Sequence, residues 1–242
     1  MRIPRFYDPQ SLQMDQLVEL NDAVVQHVCR ALRMRAGDEL ILFNGDGLEY
    51  KAQLETVEKR RASARIIQQD DRRIESPLDI RIGQSLSRGE RMDYAVQKAT
   101  EMGMQQMFPL FSERCEVKLS TDRQDKRIRH WQQVAISACE QSGRCKVPTI
   151  SAPQTLEQWI RQEDAELKLV LHHHTATPLA EMAAPESVAL LIGPEGGLTE
   201  QEVELARDHG FQPVAFGPRV MRTETAPVAA LALLQYLWGD WR

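Results

Sequence analysis

The chain has 242 residues, 42% of them apolar, which suits a small domain joined to a medium-sized one, each with its own core. Its four cysteines show no C-x-x-C spacing, which argues against a zinc site or a disulfide framework and fits a reducing compartment. Charge and proline occupy the N-terminus where a signal peptide has an apolar run, so we expect a soluble, cytoplasmic protein with no membrane partner and no metal.

The net charge of −5 is distributed unevenly along the chain. Residues 1–150 hold 24 of the 30 Lys and Arg and 22 of the 35 Asp and Glu, a net charge of +2. Residues 151–242 hold 6 and 13 of them, a net charge of −7. The first part can approach a polyanion and the second cannot easily do so. Ordinary scatter of surface charge would explain the same counts.

The first 74 residues predict a small β-rich domain. Strand patterns at 39–43 and 48–54 flank the segment Asn44–Gly47, whose Asn-Gly pair suits a type I′ hairpin turn. A third strand is predicted near 62–67, and Asp22 is expected to cap a helix that precedes the hairpin. Basic residues crowd this segment and suit contacts with a phosphate backbone, although a solvated face of a structural domain has the same composition. These residues are Arg2, Arg5, Arg30, Arg33, Arg35, Lys59, Arg60, Arg61 and Arg65.

Residues 70–77 are polar and end in proline, so we place a domain boundary near residue 74. Beyond it, strand and helix patterns alternate, which predicts an α/β domain with a parallel sheet covered on both faces. The predicted strands are 78–84, 106–111, 147–150, 167–172, 188–192 and 213–216. The predicted helices are 91–102, 123–142, 155–161, 178–183, 200–209 and an almost wholly apolar one at 226–238.

A glycine loop, Gly193–Gly197, follows the predicted strand at 188–192. It matches neither the P-loop nor the dinucleotide fingerprint, so no phosphate-binding motif is supported. Thr199 and Glu202 are spaced as a capping box for the next helix. The carboxyl edge of a parallel sheet is where ligands bind in such folds, but the same glycines would also serve a plain tight turn.

A second loop, residues 217–225, lies between the last strand and the apolar helix, which Pro227 enters in its first turn. A helix that is apolar on all sides must be buried, and a subunit contact is one way to bury it. The loop carries Arg219, Arg222 and Glu224 to the mouth of that helix. An ion pair of Arg222 with Glu224 or Glu195 that only secures the loop is an alternative to a site.

Further polar residues follow other predicted strands and helices at the same sheet edge, and Arg88, Lys98, Arg114 and Arg144 would form a basic mouth there. Three consecutive histidines, 172–174, cannot all face one metal because neighbouring residues alternate sides, so His172 alone is a candidate pocket residue. The residues by themselves indicate an α/β enzyme with a cofactor edge and a basic β-rich domain. They do not determine the reaction.

The two late loops together resemble a known signature. Leu191–Leu198 and Phe216–Ala226 look like the paired C-terminal motifs of SPOUT RNA methyltransferases, and they are most similar to the RsmE family, which methylates N3 of a uridine in 16S ribosomal RNA. Met221 stands where the family more often has leucine. Weaker similarities follow in the same order along the chain, at Met1–Tyr7, His27–Asp38, Gln97–Gly103 and Glu140–Arg144.

The resemblance implies a PUA-like β-barrel that binds RNA at residues 1–74 and a SPOUT domain at 75–242, whose last segments form a trefoil knot. It also implies a homodimer packed through the C-terminal helix. S-adenosylmethionine would lie bent within the knot, contacted largely through backbone amides. The cofactor-binding residues implied are Leu171, His172, Ile192, Gly193, Pro194, Glu195, Gly197, Phe216, Gly217, Arg219, Val220 and Met221.

For catalysis, the resemblance points to Arg222, which would favour the anionic base, and to Glu195, which would accept the proton of N3. The partner would be 16S ribosomal RNA or the assembled small subunit, gripped by Arg5, Arg33, Arg88, Lys98, Arg114 and Arg144. Three alternatives stay open: a SPOUT methyltransferase for another RNA, an RNA-binding protein without catalysis, and an α/β enzyme that uses a nucleotide.

Overall fold

The computed structural model describes residues 3–117, 120–172, 179 and 182–241. The chain divides into two compact units. Unit 1 comprises Met1–Glu75 together with Cys139–Val147, and unit 2 comprises Ser76–Ala138 and Pro148–Arg242. The sequence patterns place residues 139–147 beyond the boundary near residue 74, whereas in the structure they pack within unit 1.

Unit 1 is built on a five-stranded sheet. The strands are β1 (Arg5–Tyr7), β2 (Leu17–Glu19), β3 (Glu39–Phe43), β4 (Glu49–Val57) and β5 (Ala62–Asp70), in the order β1-β3-β4-β5-β2. β1 runs parallel to β3, and the other pairs are antiparallel. The predicted hairpin and third strand are confirmed. The core behind them contains alternate residues of β3, β4 and β5, including Leu40, Leu42, Ala52, Leu54, Ala64 and Ile66.

Two local details of unit 1 differ from the prediction. The hairpin loop has positive φ at Gly45 and Gly47 but not at Asn44, so it is not the predicted type I′ turn. Instead, the Asn44 side chain accepts a hydrogen bond from the Asp46 amide, as polar side chains do in such turns. Helix α1 (Asp22–Gln26) continues as a π-helical segment, His27–Ala31, and Asn21 rather than Asp22 caps it.

Unit 2 contains a seven-stranded sheet in which every pair is parallel, as predicted. Its order is β12-β10-β11-β6-β7-β8, with β9 also beside β7. The strands are β6 (Asp79–Ser85), β7 (Gln106–Phe111), β8 (Thr149–Ile150), β9 (Gln154–Thr155), β10 (Leu167–Leu171), β11 (Ser187–Ile192) and β12 (Gln212–Val214). The carboxyl ends of β12, β10, β11 and β6 therefore lie next to one another.

Helices cover both faces of this sheet. They are α2 (Arg91–Glu101), α3 (Thr121–Ser142), α4 (Leu156–Gln162), α5 (Glu200–Asp208) and α6 (Thr225–Trp238); the end of α3 belongs to unit 1. Alternate residues of β11 divide between two cores: Leu190 packs with α2, α3 and α6, and Leu191 with α4 and α5. Within the described residues, no helix is both long and apolar enough to cross a membrane.

The capping box predicted for α5 is confirmed, with Thr199 and Glu202 bonded in both directions. The expectation that α6 is buried on all sides holds for one side only in this single chain. Leu231 and Leu234 are buried, but Leu233 is 39% and Tyr236 62% exposed. The predicted helix at 178–183 lies largely outside the described residues. Three residues named in the sequence, Arg2, His173 and His174, lie outside them entirely.

Candidate functional site

Loops that follow β10, β11 and β12 enclose a cavity of about 600 Å³ at the carboxyl edge of the unit 2 sheet. All twelve residues predicted to bind a cofactor line this cavity, and so does Arg222. Glu195, the other predicted catalytic residue, is one of the twelve. The sequence did not single out several other lining residues. These are Arg91, Leu198, Glu200, Val214, Ala215, Thr223 and Ala226.

The glycine loop is held in its path by sterics and by hydrogen bonds. A Cβ at Gly193 would lie 3.0 Å from the Leu198 amide nitrogen, so a side chain there would displace backbone. The Gly197 amide donates to the Pro194 carbonyl at 2.9 Å, which closes a tight turn. From outside, Arg114 Nη1 donates to the Gly196 carbonyl at 2.9 Å. The guanidinium of Arg114 therefore supports the loop.

The two late loops are joined directly by a buried hydrogen-bond chain. Gln84 Nε2 donates to Thr223 Oγ1 at 3.0 Å, and Thr223 Oγ1 donates to the Gly193 carbonyl at 3.0 Å. Gln84 and Thr223 are both buried. Hydrogen bonds of buried polar groups are costly to lose, so this chain fixes the spacing of the loops. The sequence signal for Thr223 was its place in the second motif, and that for Gln84 its place at the end of a strand.

The arginine that lies beside the glutamates of both loops is Arg91, not Arg222. Arg91 Nη1 donates to the Glu195 carboxylate, and its Nε lies 3.9 Å from Glu224. Burial acts to raise the pKa of the Glu195 carboxyl, but hydrogen bonds from its own backbone amide and from Arg91 outweigh it, so the pKa lies below its ordinary value. The alternative in which Arg222 pairs with Glu224 or Glu195 to secure the loop is not supported, because Arg222 is exposed and forms no ion pair with any described residue.

A second depression of about 1270 Å³, here called the outer groove, adjoins the cavity. Arg88, Tyr94 and Cys115 line it, and Tyr94 is 45% exposed. Burial raises the pKa of the Cys115 thiol above its ordinary value, which disfavours the nucleophilic thiolate at neutral pH. The described residues contain no cluster of three or more His, Cys, Asp or Glu suited to a metal ion.

The six arginines and lysines predicted to contact RNA fall into different environments. Arg88 lies in the outer groove and pairs with exposed Glu116 at 3.0 Å. Lys98 on α2 bonds to Glu101 and lines neither depression. Arg33 is exposed in unit 1, with a φ of +52°.

Arg5 and Arg144 were predicted to contact RNA, but the structure places both side chains in ion pairs within unit 1. Both lie in unit 1 and are buried: Arg5 pairs with Glu49, and Arg144 with Glu75 at 2.7 Å. A phosphate cannot reach a guanidinium enclosed in this way, so both side chains are structural ion-pair partners rather than RNA contacts. The expectation that Arg144 belongs to a basic mouth is not supported either, because its guanidinium is buried against Glu75 and lines neither depression.

The cavity fits a nucleoside that carries a short charged chain. Its volume lies within the range of ligand pockets, and Leu171, Ile192 and Phe216 give it apolar wall area for a flat ring. Gly217 has a φ of +84°, a conformation that side-chain-bearing residues rarely adopt. Glutamates 195 and 200 and two arginines at 219 and 222 supply both signs of charge for the charged end of such a ligand.

Comparison with known proteins agrees with this geometry. Residues 74–235 match the family profile described as the RNA methyltransferase domain, and residues 20–67 match the RNA methyltransferase PUA domain. The ribosomal RNA small subunit methyltransferase E of Buchnera aphidicola (subspecies Schizaphis graminum) is 34% identical over 99% of this chain and 98% of its own. The chain belongs to this RNA methyltransferase family.

Two other members extend the comparison. The enzyme of the same description from Bacillus subtilis is 33% identical over 88% of this chain and 87% of its own. The crystal structure of ribosomal RNA small subunit methyltransferase E from Neisseria gonorrhoeae, bound to S-adenosylmethionine, has a TM-score of 0.94 and 42% identity, and the match covers all of both chains. A Legionella pneumophila protein in complex with the same cofactor has a TM-score of 0.96 and 42% identity over 99% of this chain and 100% of that one. The resemblance found in the sequence is confirmed.

Proposed function

We propose that the protein transfers a methyl group from S-adenosylmethionine to N3 of a uridine in 16S ribosomal RNA. The observation that carries the proposal is the cavity formed by the two late loops, which the chain Gln84–Thr223–Gly193 joins. Relatives that match this chain over nearly their whole length carry the ribosomal RNA methyltransferase name, and one is bound to that cofactor. The choice of N3 and of a uridine comes from the RsmE resemblance.

Different residues of the cavity would contact different parts of the cofactor. Leu171, Ile192 and Phe216 would pack against the adenine, and the glycines at 193 and 197 would let it approach the backbone. When bound, S-adenosylmethionine supplies a methyl group on a positively charged sulfur. The chain then has to place the nucleobase in line with that methyl group, and positioning of this kind supplies a large part of the acceleration.

The nucleobase would enter through the outer groove. N3 lies on the pairing edge of uracil, so the target must be unpaired or flipped out of a helix. Tyr94 offers an exposed ring on which a base can stack, and Arg88 offers a cation for the phosphate backbone. Arg222, exposed at the cavity wall, is the cation proposed to stabilise the anionic base.

Glu195 has a different task from the one the sequence suggested. Its pKa is lowered and Arg91 donates a hydrogen bond to it, so it is a weak proton acceptor. We propose that the pair Arg91–Glu195 positions the glycine loop at the junction of the cavity and the groove.

The domain types, the homodimer and the RNA partner are also proposed from the family resemblance. Residues 1–74 would form a PUA-like RNA-binding domain and 75–242 a knotted SPOUT domain. The exposed apolar residues of α6, Leu233 and Tyr236, would pack against a second copy in a homodimer. The partner would be 16S ribosomal RNA or the small subunit in the cytoplasm.

The test uses S-adenosylmethionine with a labelled methyl group. The protein is incubated with purified 16S ribosomal RNA or with small subunits, and the nucleosides are separated and identified by mass. We expect label in N3-methyluridine. Label at another atom would retain a methyltransferase but reject N3, and tight RNA binding without labelling or cofactor binding would favour a binding protein without catalysis. Tight binding of a nucleotide such as ATP in place of S-adenosylmethionine would revive the nucleotide-using enzyme.

A further inference from the structure

Five residues line both the cofactor cavity and the outer groove: Arg91, Arg114, Glu195, Gly196 and Glu224. A methyl group that passes from cofactor to nucleobase must cross this junction. Proton removal from N3 needs a basic group there, because the lone pair on that nitrogen must be free for attack. Only the two carboxylates among these five can act as such a base, since arginine stays protonated.

The two carboxylates differ in their partners. Glu195 accepts a hydrogen bond from Arg91 and is 40% exposed. The Glu224 side chain is 19% exposed, and its Oε2 is buried without a hydrogen-bond donor in the part of the chain described by the structure. The Nε of Arg91 lies 3.9 Å from that oxygen, beyond hydrogen-bond distance.

A buried carboxylate oxygen without a donor is costly, and native structures keep few of them. Its position is fixed on both sides. Thr223, the preceding residue, is bonded to Gln84 and Gly193, and α6 begins directly after Glu224. The carboxylate therefore cannot relax far from the junction, and a ligand that offers an N–H group would complete its hydrogen bonding.

We propose that Glu224 is the catalytic residue that accepts the proton from N3 of the target uracil. This inference rests on the proposed function. The pairing edge of uracil has an N–H between two carbonyl oxygens, and the junction offers a carboxylate beside the guanidinium of Arg91. Glu224 takes the N3 proton and becomes a neutral acid. The N3 lone pair forms the bond to the methyl carbon as the carbon–sulfur bond breaks, and that electron pair stays on sulfur.

The same contact would discriminate against cytosine. In neutral cytosine N3 carries a lone pair and no hydrogen, so it would face the Glu224 carboxylate acceptor to acceptor. A hydrogen bond to a charged group contributes enough to change affinity by about tenfold or more. Glu224 would therefore select the base and remove its proton.

The experiment compares the parent with Glu224→Gln, which keeps the shape of the side chain but loses the basic oxygen. We expect kcat for methyl transfer to fall at least about 100-fold, as for loss of a general base. The dissociation constant for S-adenosylhomocysteine should stay within about twofold of the parent, because glutamine keeps the size and shape of the Glu224 side chain at the cavity wall. Glu157→Gln, on an exposed ion pair of α4 outside both depressions, is the matched control.

A second readout does not depend on turnover. With S-adenosylhomocysteine present, binding of short oligouridylate and oligocytidylate is measured by fluorescence anisotropy. The parent should prefer oligouridylate, and Glu224→Gln should reduce that preference about tenfold. Glu224→Asp, which keeps the acid but shortens its reach, should retain the preference in part.

Several results would overturn the inference. Glu224→Gln could keep kcat, or it could lose S-adenosylhomocysteine binding as well, which would make Glu224 a structural residue. Glu195→Gln could also reduce kcat as much as Glu224→Gln does. A parent protein that methylates no uridine would instead reject the proposed function, while the oligouridylate preference would still decide whether Glu224 reads the base.

Discussion

Arginines at two places in the molecule look alike in sequence and differ in structure. Arg144 in unit 1 is 5% exposed and donates to Glu75 through both Nε and Nη2. Arg222 in unit 2 is exposed on a cavity wall and has no ion-pair partner in the described parts of the chain. Both stand in segments that resemble family motifs. An arginine in a family motif can therefore be a buried ion-pair partner or an exposed cation on a cavity wall, and burial and partners distinguish the two environments.

The largest expected effect concerns Arg144, the buried arginine of this comparison. Arg144→Ala would leave the partly buried Glu75 carboxylate without its arginine partner at Oε2, while Oε1 still accepts from the amides of Cys145 and Lys146. We expect a loss of about 3–5 kcal/mol in the free energy of unfolding. Urea denaturation followed by circular dichroism measures it.

Arg73→Ala is the control for Arg144→Ala. Its side chain is 87% exposed and its ion pair with Asp71 is open to solvent, so the loss should stay below about 0.5 kcal/mol. Equal effects of the two substitutions would remove the distinction between buried and exposed arginines in unit 1.

The next largest effect concerns Arg222 and the rate of methyl transfer. Arg222→Ala should abolish measurable turnover, with a fall in kcat of at least about 100-fold, because a charge that stabilises the reacting base is lost. The melting temperature should stay close to that of the parent since the side chain is exposed. Arg207→Ala on α5, also exposed, should leave both quantities unchanged. Unchanged kcat in Arg222→Ala would exclude this residue from the mechanism.

A smaller effect is expected at Arg88, which pairs with exposed Glu116. If Arg88 contacts a phosphate, Arg88→Ala should weaken RNA binding a fewfold and lower the slope of log K against log salt by about one contact. Titrations at several salt concentrations measure that slope. Arg144→Ala, by contrast, should leave the slope unchanged in the folded protein, and a change there would restore Arg144 as an RNA contact.

The smallest effect concerns Glu195, whose pKa is lowered in the folded protein. A carboxyl with a lowered pKa stabilises the fold above its unfolded pKa, and that stabilisation is lost as pH falls through the folded pKa. The stability difference between parent and Glu195→Gln should therefore be present at pH 7 and shrink at acid pH. Because the side chain is 40% exposed, we expect less than about 1 kcal/mol. A difference that grows toward acid pH would contradict the sign.

Local patterns were sufficient for much of the fold and for the lining of the cavity. Strand periodicity located β6, β7 and β11 to within a residue at each end, and the Thr199–Glu202 spacing identified the capping box. These features depend on residues a few positions apart, whose geometry the chain itself fixes. The helix cap at Asn21 and the turn type of the hairpin loop were predicted wrongly because neighbouring polar residues compete for the same few backbone amides.

The contacts that define the site could not be derived in the same way. Gln84 and Thr223 are 139 positions apart, and Arg91 and Glu195 are 104 apart. Many pairings of arginine and glutamate are compatible with one sequence, and the alternative pairs of Arg222 with Glu195 or Glu224 were among them. Packing of β6 between β11 and β7 selects the pair that forms, since it brings the start of α2 to the glycine loop.

By itself, the sequence determined the α/β class, the parallel sheet, the two loops at its edge and, through them, the methyltransferase family. Only the tertiary structure decided which charged residues are buried supports and which face the cavity, as with Arg144 and Arg222. It also decided which carboxylate oxygen at the junction has no hydrogen-bond donor among the described residues. The physical reason is that backbone periodicity acts over a few residues, whereas burial and ion pairing depend on side chains that the fold brings together from distant positions.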